Sequence, residues 1–400
     1  MLMVADIPFD FVLFALTLSG VALLHRYTLQ VALSGLAAII GYKWLVTGFK
    51  QGAGWTGLML HMGHEWVILT NLLCLLLGFA LLSNHFERTG LPELMPKFLP
   101  SGWLGGLALL ALIFVLSSFL DNIAGALIGG TIANIVFRKR VHIGYLAAIV
   151  AASNAGGSGS VVGDTTTTMM WISGISPVEV LSAYSAATVA LLVTGIPASI
   201  QQHRHAPIVS TPDEGVTIDG ARIAIVFFIL ILAIVANVSA NVFFVGLADA
   251  FPVIGVAVWV ALIASAPLRQ PDWGLLPEAV KGSLFLLALV TCASLMPVEK
   301  LPVASWQTAF GLGFVSAVFD NIPLTALAIK QGGYDWGVLA YTVGFGGSMI
   351  WFGSSAGVAI ANLFPEAKSV ASWVRYGWHV ALAYVVGFFA MMATVGWQPR

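Results

Sequence analysis

Charge is scarce in this chain. Of its 400 residues only 9% are Asp, Glu, Lys or Arg, against 59% hydrophobic, and the mean hydropathy is +0.94. Soluble domains carry about 25% charged residues, so this composition excludes a water-soluble fold and describes an integral membrane protein. Cysteine is scarcer still: Cys74 and Cys292 lie singly in apolar runs, which excludes a disulfide framework or a thiolate metal centre and leaves core or lipid-facing thiols. Strict polar-apolar alternation over strand-length segments is missing, which excludes an outer-membrane barrel and leaves helices. The first apolar run, Phe9 to Leu24, has Asp6 and Asp10 near its start, no basic residue before it and no small-residue cleavage site. It is therefore read as a first spanning helix and not as a cleavable signal. A net charge of −1 gives no basic excess for a nucleic-acid partner.

What the chain has is a succession of apolar runs long enough to cross a bilayer. They cover 8–24, 28–49, 67–84, 144–172, 179–200, 222–247, 252–268, 282–297, 336–362 and 377–397, ten crossings in all. Two further segments, 103–137 and 303–332, carry an Asp-Asn pair at the centre of two short apolar arms, Asp121-Asn122 and Asp320-Asn321. Each reads as a re-entrant hairpin with its tip at mid-membrane, where irregular backbone survives if protein or a wet cavity surrounds it. The polar stretch from Gln201 onward, holding His203, Arg204, His205, Pro207, Pro212, Asp213 and Glu214, reads as an extramembrane linker over 201–221.

The expected fold is thus an all-α polytopic membrane protein of about ten transmembrane helices and two re-entrant hairpins. The linker divides it into a first repeat, 1–200, with hairpin 103–137 and broken helix 144–172, and a second, 222–400, with hairpin 303–332 and broken helix 336–362. Five crossings and one hairpin on each side, starting in opposite directions, make an inverted-topology repeat, the architecture of secondary transporters. This topology places Arg26, Arg88, Lys97, Arg138, Lys139, Arg140, Arg204, Arg222, Arg269, Lys281, Lys368 and Arg375 on one face. Only Lys43, Lys50, Lys300, Lys330 and Arg400 fall on the other. The asymmetry makes the first face and the linker cytoplasmic and both termini external. The expected location is the inner (plasma) membrane of a bacterium.

The repeat is also visible in residues. Ser117 to Ile123 reads Ser-Ser-Phe-Leu-Asp-Asn-Ile, and Ser316 to Ile322 reads Ser-Ala-Val-Phe-Asp-Asn-Ile. Gly156-Gly157-Ser158 with Gly163 matches Gly346-Gly347-Ser348 with Gly353 at the same internal spacing. Glycine clusters inside apolar helices serve either close helix packing or local unwinding, which frees carbonyls and half-helix ends for an ion. Asn154 before the first cluster and Asp164 after it favour the second. A carboxylate at the bilayer centre costs roughly 2.5 to 3.5 kcal/mol on insertion scales, so Asp121, Asp164 and Asp320 point to ion handling. In register, Asp164, followed by Thr165 to Thr168, aligns with Ser354 and Ser355, so the first half is the more acidic. A carboxylate, Asn and hydroxyl set is an oxygen donor set for a hard cation such as sodium, and a buried carboxylate can exchange that cation for a proton. The competing role, capping of a half-helix, fits Asp320 best. His61, His64 and Glu65 are expected in an exterior interfacial segment, and 87–97 as a surface connector. His142 reads as interfacial, and His379 has no evident partner. No Ser or Cys nucleophile has a nearby His, so the chain is not read as an enzyme.

On the segments Ser153 to Trp171 and Ala340 to Gly357, and on the Asp-Asn pairs, the chain resembles the NhaD-type sodium/proton antiporters of the ion transporter superfamily, which also holds arsenite, citrate and dicarboxylate carriers. The resemblance implies exchange of external protons for internal sodium or lithium. It implies a site of Asp121, Asn122, Asn154, Ser158, Asp164, Thr165, Thr166, Asp320, Asn321, Ser348, Ser354 and Ser355, with Asp121, Asp164 and Asp320 meeting the transported sodium. Where the family shows a threonine run after the first Asp-Asn pair, this chain has Ile123, Ala124, Gly125 and Ala126. Expected partners are the lipid bilayer and small inorganic cations, with no cofactor and, by analogy, a homodimer. The alternative function is a sodium- or proton-coupled carrier of citrate, a dicarboxylate or arsenite.

Overall fold

The computed structural model describes all residues except 1–2, 5–6, 25–26, 209–216, 245–246 and 248–249. Arg26 and the linker residues Pro212, Asp213 and Glu214 thus lie outside the described residues. Beyond a two-residue antiparallel pair, Met3–Val4 with Ile7–Pro8, the described chain is helical. The helices are α1 (Phe9–Leu23), α2 (Thr28–Tyr42, prolonged by a π-turn Lys43–Thr47), α3 (Gly54–Glu87), α4 (Leu91–Leu94), α5 (Trp103–Ser117), α6 (Asn122–Val136), α7 (Ile143–Ser158), α8 (Thr165–Ile172), α9 (Pro177–Leu181), α10 (Ala183–His205) and α11 (Gly220–Phe243). They continue as α12 (Val253–Ser265), α13 (Leu276–Ser294), α14 (Trp306–Ser316), α15 (Asn321–Gln331), α16 (Trp336–Gly346), α17 (Ser355–Leu363), α18 (Val370–Tyr376) and α19 (Trp378–Thr394).

Among the described residues, four helical stretches are long and apolar enough to cross a bilayer unaided: Thr28–Thr47, Gly54–Glu87, Pro177–His205 and Trp273–Ser294. The pair α18 and α19, bent by 58°, reaches the same length together. The protein is a multi-pass helical membrane protein. Exposed Leu, Ile, Val and Phe side chains on α11, α12 and α19 face outward, as lipid-facing surfaces do.

The third span departs from expectation. Its 34 residues run about 51 Å at 1.5 Å per residue, starting well before residue 67. The polar residues read as an exterior segment are inside this helix, and His61 and Glu65 are buried. Partners distant in sequence absorb their polarity. His61 Nε2 lies 2.9 Å from Ser294 Oγ, and Lys330 Nζ donates to Glu65 Oε1 at 2.6 Å and to the Ser294 carbonyl at 3.0 Å. His379 is likewise not partnerless: its Nδ1 lies 2.7 Å from Thr194 Oγ1 in the core between α10 and α19.

Both segments centred on Asp-Asn are helix-break-helix units, α5/α6 and α14/α15, with α6 and α15 starting at Asn122 and Asn321. The segments 144–172 and 336–362 are also broken, with the second helix restarting at Thr165 and at Ser355. Packing among these four units is reciprocal: α6 lies against α17 while α15 lies against α8, and α7 crosses α16 between them.

Among the described residues the ion pairs fall into two sets. Lys43–Asp10, Lys50–Glu299, Lys330–Glu65 and Arg400–Glu179 join residues at one end of the helices. Arg88–Asp272, Arg222–Asp219, Arg269–Asp219 and Lys281–Glu278 join residues at the other.

Candidate functional site

Glycines determine where the two broken helices meet the hairpins. A Cβ on Gly156 would lie 2.0 Å from the Phe114 carbonyl oxygen, and one on Gly163 would lie 2.2 Å from that of Ser117. In the other half, a Cβ on Gly346 would lie 2.4 Å from the Gly313 oxygen, and one on Gly353 would lie 2.6 Å from that of Ala317. No other residue allows these backbones to approach so closely. Both roles of the glycine clusters therefore coincide, because the helices also stop there.

The breaks are then satisfied locally. Asp164 N-caps α8, its Oδ1 accepting from the Thr166 amide at 3.0 Å. Ser354 N-caps α17, accepting from the Gly357 amide at 3.3 Å. The Thr167 hydroxyl donates to the Ser160 carbonyl at 2.6 Å, and the Thr168 hydroxyl to that of Val161 at 2.9 Å. These two threonines thus serve carbonyls freed by the break.

Buried side-chain bonds tie the four units together. Ser117 Oγ lies 3.1 Å from Ser153 Oγ, and Ser153 Oγ donates to the Asn122 carbonyl. In the second half Ser316 Oγ donates to the Val343 carbonyl at 2.7 Å. Asn154 is the hub. Its Oδ1 accepts from Asn122 Nδ2 at 3.0 Å, and its Nδ2 donates to Ser348 Oγ at 2.9 Å and Ser354 Oγ at 3.0 Å. One side chain thereby joins the first hairpin and the first broken helix to the second broken helix.

The three carboxylates are not equivalent. Asp320 caps α15 through the Ile322 amide at 3.0 Å, as its capping role requires. Asp164 is 2% exposed and uses one oxygen for its cap, while Oδ2 is buried without a hydrogen-bond partner. Asp121 is half-buried and makes no side-chain cap bond. None of the ion pairs among the described residues involves any of the three. An unpaired buried carboxylate oxygen must be met by a proton or a cation, since leaving it ionised and alone in a dry interior costs several kcal/mol, on the order of the penalty for a buried ion.

A small pocket of about 20 Å³, room for about one water-sized species, opens on this group. Asp121, Asp164, Thr165 and Thr168 form its polar wall, and Leu72, Leu75, Leu76 and Phe79 of α3 with Val162 form its apolar one. Of the residues singled out in the sequence, Asp121, Asp164 and Thr165 come together here. Asn122, Asn154, Ser348 and Ser354 form the hydrogen-bonded hub beside it. Thr166 is buried next to Asp164 with its Oγ1 unpartnered, and Asn321 is buried with its Nδ2 unpartnered. Ser158 turns back onto the Ala155 carbonyl at 2.8 Å, and Ser355 is half-buried at the start of α17. Asp320 does not line the pocket, and among the described residues no three His, Cys, Asp or Glu side chains gather around one metal position. The α3 wall had no signal in the sequence, because leucines in an apolar helix carry no positional mark.

Discontinuous helices crossing around carboxylates that enter no ion pair among the described residues define a polytopic helical membrane protein. Comparison with known proteins then places it more narrowly. No family model matches the chain. The chain is similar to Sodium/proton antiporter 1 of Arabidopsis thaliana, 25% identical over 62% of this chain and 49% of that protein. It is 26% identical to the Na(+)/H(+) antiporter NhaD of Vibrio cholerae over 87% of this chain and 82% of that one. A short stretch, 18% of this chain, is 37% identical to NhaD of Halomonas elongata. The chain thus spans about half the length of the Arabidopsis relative and most of the Vibrio one. The resemblance read from the Asp-Asn pairs and the glycine clusters holds: the chain is similar to the NhaD-type sodium/proton antiporters.

Proposed function

We propose that this protein is a secondary active transporter that exchanges sodium or lithium for protons by alternating access at a midplane carboxylate site. The unpartnered buried oxygen of Asp164, beside Asp121 in the pocket, carries the reading. One oxygen of Asp164 is fixed by its cap bond, so the other is presented in a constant orientation, where a cation and a proton compete for it. Asp121, Thr165 and the unpartnered Thr166 hydroxyl supply further oxygens of the kind a hard cation takes. Nothing in this set is a cofactor ligand; the metal ion is the cargo.

In this reading the inverted repeat supplies the motion. The two hairpins, 103–137 and 303–332, are re-entrant, the ten remaining crossings complete the bundle, and the halves 1–200 and 222–400 exchange contacts through the crossed broken helices. The separation of the ion pairs into two end groups supports the two-faced topology. The more basic end, with the linker, is then cytoplasmic in a bacterial inner membrane, and both termini are outside.

The test is proton movement in proteoliposomes holding a preset pH gradient, with sodium, lithium, potassium or citrate added. Gradient collapse on sodium or lithium in the wild type, absent in Asp164→Asn, is the expected result. An unchanged gradient with uptake of citrate or another anion would replace this reading with that of an anion carrier.

A further inference from the structure

The glycine register that aligns Gly156-Gly157-Ser158 with Gly346-Gly347-Ser348, and Asp164 with Ser354, also aligns Asn154 with Gly344. The structure honours this correspondence. Asn154 sits between Ser348 and Ser354 and donates to both hydroxyls. Gly344 sits between Ser158 and Asp164, with the position of a Cβ 3.5 Å from Ser158 Cβ and 3.4 Å from Asp164 Oδ2. Where one half inserts an amide that satisfies its neighbours, the other half inserts nothing.

Packing does not require that glycine. The neighbouring site glycines would place a Cβ 2.0 to 2.6 Å from a backbone oxygen, whereas distances of 3.4 and 3.5 Å are ordinary contacts, and α16 has regular helical backbone there. Asp164 Oδ2, the atom facing Gly344, is buried and has no hydrogen-bond partner. An amide there, placed as Asn154 is placed, would bind that oxygen permanently.

We infer that Gly344 is a specificity-determining position: by withholding a side chain it keeps the second oxygen of Asp164 open to the transported cation and limits the size of the ion that fits. The inference rests on the antiport reading and deepens it. Gly344→Asn would turn the acidic half into a copy of the satisfied one, and Gly344→Ala would narrow the space by one methyl group.

The experiment compares wild type, Gly344→Asn and Gly344→Ala by thermal unfolding in detergent with and without sodium or lithium, and by exchange in proteoliposomes. Gly344→Asn is expected to raise the unfolding midpoint without cation and to lose both the sodium-dependent rise and exchange. Gly344→Ala is expected to need roughly tenfold more sodium, the scale on which one methyl group discriminates, with the smaller lithium ion less affected. Wild-type cation responses in Gly344→Asn would overturn the inference. If that variant does not fold, unchanged sodium and lithium dependence in Gly344→Ala overturns it. If the wild type shows no cation response, the antiport reading fails first. The midpoint of Gly344→Asn then decides: a rise supports an open Asp164 oxygen, and no rise rejects it.

Discussion

The two broken helices, 143–172 and 336–363, share a backbone plan and differ in chemistry. Each stops at a glycine pair, is pressed against its own hairpin by glycines that admit no Cβ, and restarts from a capping side chain. In the first, the cap is Asp164, with one oxygen unpartnered; in the second it is Ser354, whose hydroxyl is held by Asn154. The second cap is held by a neighbouring amide where the first leaves one oxygen open. Duplicated architecture therefore supplies the crossing, and the asymmetric residues set which cap keeps an open oxygen. Buried polar groups are ordinarily satisfied, so the open oxygen of Asp164 is where function is expected.

The comparison can be broken most directly at the two caps. Asp164→Asn is expected to reduce sodium-dependent proton movement by at least about a hundredfold, the scale for removing an essential charged group, whereas Ser354→Ala retains measurable exchange in the same vesicle assay. Equal losses would show that the halves are functionally alike.

Asn154→Ala is expected to lower stability by about 3 kcal/mol, because it strands the Asn122 amide and leaves two serine hydroxyls to find other partners. A drop in the unfolding midpoint several times larger than that of Ser348→Ala checks this, since the serine change removes only one bond. Gly156→Ala and Gly346→Ala test the shared plan instead. Each forces a Cβ onto a backbone oxygen, so both should cost about 1–3 kcal/mol, and a harmless change in one half would show that the crossing is not duplicated.

The smallest effects lie at the ends of the helices. Lys330→Ala removes the partner of Glu65 from a mostly buried pair and should lower the midpoint slightly more than Lys50→Ala, whose pair with Glu299 is exposed. At the opposite end the Asp219 carboxyl is held below its usual range, chiefly by the hydrogen bond from Arg269. A carboxyl lowered in the folded state contributes stability at neutral pH and loses it as pH falls through that lowered value. Arg269→Ala should therefore flatten the acid side of the stability profile measured by unfolding midpoint against pH.

Much of this arrangement was legible in the sequence, for physical reasons particular to each element. The helix breaks at Asp121, Asp164 and Asp320 announce themselves because a carboxylate is costly in an apolar run, and the break at Ser354 follows from the glycine register it shares with Asp164. The correspondence of Asn154 and Gly344 was available from the same glycine register. The length of α3 was not, since His61 and Glu65 look like the edge of a span until Ser294 and Lys330 arrive from far along the chain. His379 looked solitary for the same reason, its partner Thr194 being on another helix. The apolar wall opposite Asp164 was invisible, because its leucines differ from lipid-facing ones only in what they face.

The central claim is that one buried carboxylate site accepts either a cation or a proton. Proton release on adding sodium to the purified protein in weakly buffered detergent tests it most directly. Release that saturates with sodium and vanishes in Asp164→Asn is the predicted result. A wild-type protein that exchanges sodium in vesicles but releases no proton on binding it would contradict the account.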